Sequence, residues 1–149
     1  MKTRLLLIAC AFVSFMISCS KDECNSASIS DNSVSAMATS TNGFDLINSV
    51  TTNDNSEWKI KMNDVASKAF AEGNKNFPNN SMIVKEKYDA TGVLIGYDVK
   101  YRSAVDENST DGWLWSQLSS DGRVIYASNM KGASCQSCHA PQGKGVVLH

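Results

Sequence analysis

From residue 57 onward the hydrophobic positions come in short alternating runs bounded by turn residues, and a helical period appears once. Asn63 or Asp64 can cap a helix that runs through Glu72, with Val65, Ala69 and Phe70 on one face and Gly73 as its stop. Pro78 and Asn79-Asn80 then predict a turn. Residues 81–88 read as a strand, Asp89-Ala90-Thr91-Gly92 as a hairpin turn and residues 93–102 as the returning strand. In that returning strand Val93, Ile95, Tyr97, Val99 and Tyr101 alternate with less apolar positions, so one face is expected to pack. After a polar loop, residues 113–118 and 123–127 predict a second hairpin around Ser119-Ser120-Asp121-Gly122. No heptad and no long amphipathic helix is present in this stretch.

Upstream the pattern changes twice. Residues 25–56 are dominated by Ser, Thr, Asn and Asp without a sustained period, which predicts a flexible tether. Within it, Gly43-Phe44-Asp45-Leu46-Ile47 is the one piece expected to dock on the domain. Ahead of the tether, Lys2 and Arg4 precede a nearly unbroken apolar run over residues 5–17, the layout of a secretory signal peptide over residues 1–18. The run is too short to span a bilayer, which takes about 20 apolar residues.

Met16-Ile17-Ser18-Cys19 resembles a bacterial lipobox. Cys19 would then be the first mature residue and carry the lipid, holding the exported protein to the outer membrane on its periplasmic or outer side; the alternative is an ordinary signal peptide. Ser20-Lys21-Asp22-Glu23 resembles a surface-export signal of Bacteroidota lipoproteins. The expected division is therefore signal peptide 1–18, lipid-bearing Cys19 and tether 19–56, and a folded domain over 57–149.

Composition narrows the function. The 149 residues carry 14 basic and 15 acidic side chains, a formal charge of −1, with no basic patch of the kind that binds nucleic acid. Cleavage before Cys19 removes Lys2 and Arg4, leaving 12 basic residues against 15 acidic, a formal −3. Only two histidines are present, His139 and His149.

His139 ends the motif Cys135-Gln136-Ser137-Cys138-His139, the C-x-x-C-H of covalent c-type haem attachment. Two thiols at this spacing reach the two vinyl groups on one porphyrin edge, and the adjacent imidazole becomes the proximal iron ligand. Cys135, Cys138 and His139 are thus the candidate anchors of one covalent haem c. The alternatives are a dithiol redox pair or half a zinc site, whose fourth ligand could come only from His149 or Cys24, and a surface lipoprotein whose cysteines form a disulfide. Cys24 itself reads as a solvated bystander in the tether. Only ten residues follow His139, so the chain before the motif must build the pocket. The expected class is α+β, a mainly antiparallel β-sheet with one or two packed helices and a C-terminal haem-attachment segment.

Three segments carry a family resemblance: Phe77-Pro78-Asn79-Asn80-Ser81-Met82-Ile83-Val84-Lys85-Glu86, Asp111-Gly112-Trp113, and the terminal haem motif followed by Ala140. Together they resemble the cytochrome P-460 family, including the cytochromes c-prime-beta, over residues 62–148. The resemblance implies an antiparallel β fold and a five-coordinate haem open to small nitrogenous ligands such as hydroxylamine or nitric oxide. It also implies, in enzymatic members, a lysine bonded to the porphyrin edge. Lys85 holds that place, which makes a hydroxylamine-oxidising oxidoreductase one expectation and a non-enzymatic gas binder another. A blander reading makes Lys85 a solvated side chain or the partner of a haem propionate. The sequence departs from the family at Asn79-Asn80, where Asp-Gly is usual. A redox partner protein is implied, and the resemblance allows a homodimer.

A six-coordinate electron carrier is the other reading, with Met82, Met130 or His149 as distal ligand. Phe70, Phe77, Trp113, Trp115 and Tyr126 are candidate pocket residues or core. Glu86 shares the strand of Lys85 but should face the other way, and Asp106 and Glu107 lie in a loop that could approach the distal side.

Overall fold

The computed structural model describes residues 29–133 and 135. Six strands follow one another in a single antiparallel sheet whose spatial order is the chain order: β1 (Asp45–Thr51), β2 (Glu57–Met62), β3 (Met82–Tyr88), β4 (Leu94–Arg102), β5 (Trp113–Ser119) and β6 (Val124–Tyr126). Helix α1 (Asp31–Ala38) packs against one face, over β4, β5 and β6, and α2 (Asp64–Ala71) packs near β1, β2 and β3. The expected class, a mainly antiparallel sheet with packed helices, is what forms.

The tether ends earlier than its composition suggests. Residues 31–51, of which Gly43 to Ile47 alone is expected to dock, contain α1, a 3-10 turn (Thr41–Gly43) and the edge strand β1. Ser30 caps α1 by accepting a hydrogen bond from the Ser33 amide at 3.3 Å, and Val34 and Ala38, four apart, are fully buried. β1 needs little apolar content because its backbone pairs with β2 along its length, and it tolerates outward Asn, Ser and Thr as an edge strand does.

Two of the predicted patterns shift. The α2 face turned to the sheet is Ala66 and Ala69, whose small side chains allow close approach, while Val65 and Phe70 stay exposed. Asn63 is the cap, its side chain accepting from the Ala66 amide at 3.1 Å and from the Met82 amide at 3.0 Å, which ties the helix start to β3. In β4, Tyr97, Val99 and Tyr101 are buried as expected, but Ile95 is not. The register passes from Lys87↔Gly96 to Tyr88↔Leu94, so Ile95 is an inserted residue and Leu94 takes the inward position. The turn before it is as read from sequence: Asp89 accepts from the amides of Thr91 and Val93, and Gly92 sits at φ 79°.

The alternation of each strand divides the core into two clusters. Met82, Val84, Tyr97, Val99, Tyr101, Leu114 and Leu118 pack under α1 with Val34 and Ala38. Ile60, Met62, Ile83, Trp113 and Trp115 form the opposite cluster with Phe77 and the two alanines of α2.

Candidate functional site

The chemistry-bearing residues gather on the second face. Lys85 follows Ile83 by two on β3 and lies opposite Ile60 on β2 and Asp98 on β4, so it shares the face of the tryptophans. Its Nζ stands 4.3 Å from the centre of the Trp58 ring. Burial lowers the Lys85 pKa, the charge of Asp98 raises it and the neighbouring Lys87 lowers it, for a net fall. Lys87 itself pairs with Asp98 at 2.6 Å. The expectation that Ile83 and Lys87 flank Lys85 on one face, and that Glu86 points away, holds.

Glu86 is buried on the α1 face, where it accepts hydrogen bonds from Thr41 at 2.5 Å, Lys61 at 2.8 Å and Tyr88 at 2.7 Å. Burial alone would raise its carboxyl, but these three donors hold it below its ordinary value. It is a saturated structural carboxylate, not a proton acceptor for the opposite face.

Lys100 is a site residue that the sequence reading missed. It lies between Ile83 and Trp115 in register, is 8% exposed, and places Nζ 4.1 Å from the Trp115 ring centre and 5.3 Å from that of Trp113. Arg102, next on the same face, stands 5.5 Å over Trp113. An ammonium over an indole face gains about 0.5–2 kcal/mol, which offsets part of the cost of leaving water. Burial nonetheless pushes Lys100 down to about 8, opposed by the nearby Cys135 sulfur. The only sequence signal for it was its parity: Asp98 and Lys100 occupy the less apolar alternate positions of β4, which read as solvent-facing.

The segment that delivers the cysteine motif is held to this face by its backbone. After β6 a 3-10 turn (Ser128–Met130) leads to Lys131 and Gly132, both at positive φ. Tyr126 donates to the Met130 carbonyl and Thr110 to the Lys131 carbonyl, each at 3.0 Å. Gly132 lies against the Trp115 indole so closely that a Cβ there would fall 2.6 Å from the ring. Cys135 follows, its amide donating to the Gly132 carbonyl at 2.9 Å and its side chain packing against the cluster of Trp113 and Trp115. The expected Cys138, His139, His149, Cys24 and Cys19 lie outside the described residues.

The other candidates sort by face. Met82 is 1% exposed under α1, on the side of the sheet away from Lys85 and Cys135, and so is core and not a distal ligand. Met130 is exposed in the turn before Gly132. Phe77 and Trp113 belong to the site-face cluster, with ring centres 5.7 Å apart at 58°. Phe70 is on the outside of α2, and Tyr126 is buried with its hydroxyl committed to Met130. Asp106 is buried and accepts from the amides of Ile29 and Asn108, both at 2.9 Å, so it fastens the start of the domain, while Glu107 is exposed. At the place of the usual family glycine, Asn80 adopts φ 69°, the left-handed conformation a glycine would supply, and accepts from the Tyr101 hydroxyl at 2.6 Å.

A large flat apolar group with a thioether edge fits this arrangement. The face offers aromatic side chains, Gly132 keeps a Cβ out of the gap over Trp115, and Cys135 is seated at the rim of the same cluster. Cationic Lys85 and Lys100 stand on that face, with acidic Asp98 paired with Lys85 in register and two residues before Lys100 on β4. The family model Cytochrome P460 matches residues 44–148. No curated protein matches the chain.

Proposed function

Because the chain belongs to the cytochrome P460 family and is therefore a haem protein, we propose that it carries one covalent haem c on the Trp-lined face and binds small nitrogenous ligands there. The observation that carries this reading is the placement of Cys135 against the Trp113 and Trp115 cluster, on the face that also holds Lys85. Cys135 and Cys138 would hold the porphyrin through thioethers, and His139 would bind the iron from the proximal side. When bound, the haem would supply an iron able to take hydroxylamine or nitric oxide and to exchange electrons with a redox partner protein.

The remaining chemistry belongs to the chain. Ile60, Met62, Phe77, Trp113 and Trp115 exclude water from the face, which strengthens every charge that remains on it. Lys85, half-buried over Trp58, is the amine placed to meet a porphyrin edge. Bonding it there would replace one C–H and one N–H by a C–N bond and release two protons and two electrons, so maturation to an oxidising enzyme would need a two-electron oxidant of the peroxide class from outside the protein. Without that bond the protein binds its ligand and passes electrons. Met82 lies on the opposite face and so would not ligate the iron.

Export and lipid attachment at Cys19 complete the proposal, supported by the basic start, the apolar run and the lipobox-like end of residues 1–19. The protein would sit at the outer membrane, periplasmic or surface-facing.

The test is an absorption spectrum of the ferrous holoprotein together with an intact mass. A high-spin spectrum that changes on adding nitric oxide, with the mass of one haem, is the expected result. A further loss of two hydrogens marks the Lys85 bond and predicts multiple-turnover hydroxylamine oxidation. A sharp low-spin spectrum insensitive to nitric oxide would overturn the open-iron reading.

A further inference from the structure

Lys100 is a buried cation on the haem-facing side of the sheet, and neither the family resemblance nor the attachment motif assigns it a role. Its ammonium lies over Trp115, the same indole against which Gly132 packs and whose cluster receives Cys135. Cys135 packs against that same cluster of Trp113 and Trp115, and its sulfur opposes the fall of the Lys100 pKa that burial causes. Other charges on this face are Lys85 and Lys87 from β3, Asp98 and Arg102 from β4 and, at the far edge, Asp45 from β1, while β5 contributes Trp113, Trp115 and Gln117. Asp98 already pairs with Lys87 at 2.6 Å.

One assignment for a lysine on a haem face is a carboxylate of the haem itself. The chemistry of the macrocycle argues against it here. The two vinyl groups that cysteines attack share one edge of the porphyrin, and the two propionates share the opposite edge. A lysine beside Cys135 stands at the attachment edge.

We propose that Lys100 is a positioning residue for haem attachment, its positive charge favouring the thiolate of Cys135 and holding that sulfur toward the vinyl edge. This rests on the reading of Cys135 as a haem anchor. In the step, the Cys135 sulfur forms a bond to a vinyl carbon, the S–H bond is lost, and a proton ends on the neighbouring carbon. Thiol and vinyl become a thioether with no net oxidation or reduction. A nearby ammonium raises the thiolate fraction, and the thiolate is the nucleophile. The attraction is reciprocal, since the sulfur in turn favours the charged form of Lys100 against burial.

The full-length chain, matured in cells that attach c-type haem, provides the test. Wild type, Lys100→Met, Lys100→Gln and Lys100→Arg are compared by the haem-to-protein ratio and by peptide mass, with alkylation marking any cysteine left unattached. The expected result is a several-fold rise, in the Met and Gln variants, of chains joined through Cys138 alone, with Arg restoring the double attachment. A lysine with no part in attachment would leave the ratio of the two attachments unchanged whatever the soluble yield, and that result overturns the inference. So does a Met or Gln variant that matures as wild type does. A wild-type chain with no covalent haem overturns the haem reading itself, and is told apart by failing before any variant is compared.

Discussion

The two faces of the sheet bury polar groups in opposite ways. Under α1, Glu86 has three donors from three different segments, and the surrounding side chains are aliphatic and phenolic. On the other face Lys85 and Lys100 rest on indoles, and burial lowers the pKa of each. A saturated carboxylate specifies a structure, because removing any partner leaves a charge stranded. Cations held on aromatic rings beside a cysteine keep their chemistry available, at a cost in stability that a binding face tolerates.

The sharpest break of this comparison is at Glu86. Glu86→Ala strands Lys61 and the Thr41 and Tyr88 hydroxyls, and is expected to cost about 3–5 kcal/mol in denaturant unfolding of the holoprotein while the haem spectrum stays unchanged. The glutamate also sets an acid limit. Its folded pKa lies below the ordinary value, so its contribution is present above the unfolded pKa and is lost as pH falls through the folded one. A spectrum altered in Glu86→Ala would mean that the faces are not independent.

Gly132→Ala should come next. A left-handed alanine costs about 1 kcal/mol, and overlap with the Trp115 ring adds about 1–3 kcal/mol. The expected readouts are a lower Tm and a smaller fraction of chains with attached haem, since the change moves the segment that carries Cys135.

Lys100→Met is expected to stabilise the protein near neutral pH. A fall of the lysine pKa from 10.5 to about 8 corresponds to about 3 kcal/mol against the charged folded form. The unfolded chain binds the extra proton between those values, so wild-type stability rises with pH through that window and the advantage of Met shrinks there. Loss of the cation–π contacts reduces the gain. Thermal unfolding of both proteins at pH 7 and above pH 10 checks the sign. Met82→Leu should have the smallest effect, under about 1.5 kcal/mol as a volume-conserving core swap, with no change in the iron spectrum. A spectral change in that variant would reinstate Met82 as a ligand.

Much of the fold could be read along the chain. Turn chemistry at Asp89 to Gly92, the Asn63 cap and the two hairpins depend on interactions within a few residues, so local sequence specifies them. Parity placed Lys85 and Glu86 on opposite faces for the same reason: neighbouring side chains on a strand point to opposite sides. The C-x-x-C-H spacing pointed to haem, as the family match does, because the distance between two vinyl groups limits which cysteine pairs could reach both.

Other features had no local signature. α1 and β1 look like tether because their order comes from partners far along the chain: Ser35 donates to the Gly122 carbonyl, and β1 is held by β2. Ile95 follows a perfect alternation that a bulge, set by pairing with β3, reverses at that point. Lys100 reads as a solvent-facing lysine until the sheet stacks Trp113 and Trp115 beside it and the C-terminal turn brings Cys135 to the same ring. The sequence by itself determined the family, and with it the haem cofactor, and the parity of each strand, since these are carried by motifs and by adjacent residues. The tertiary structure alone decided which residues share the site, because that depends on pairing register and on the packing of segments separated by tens of residues.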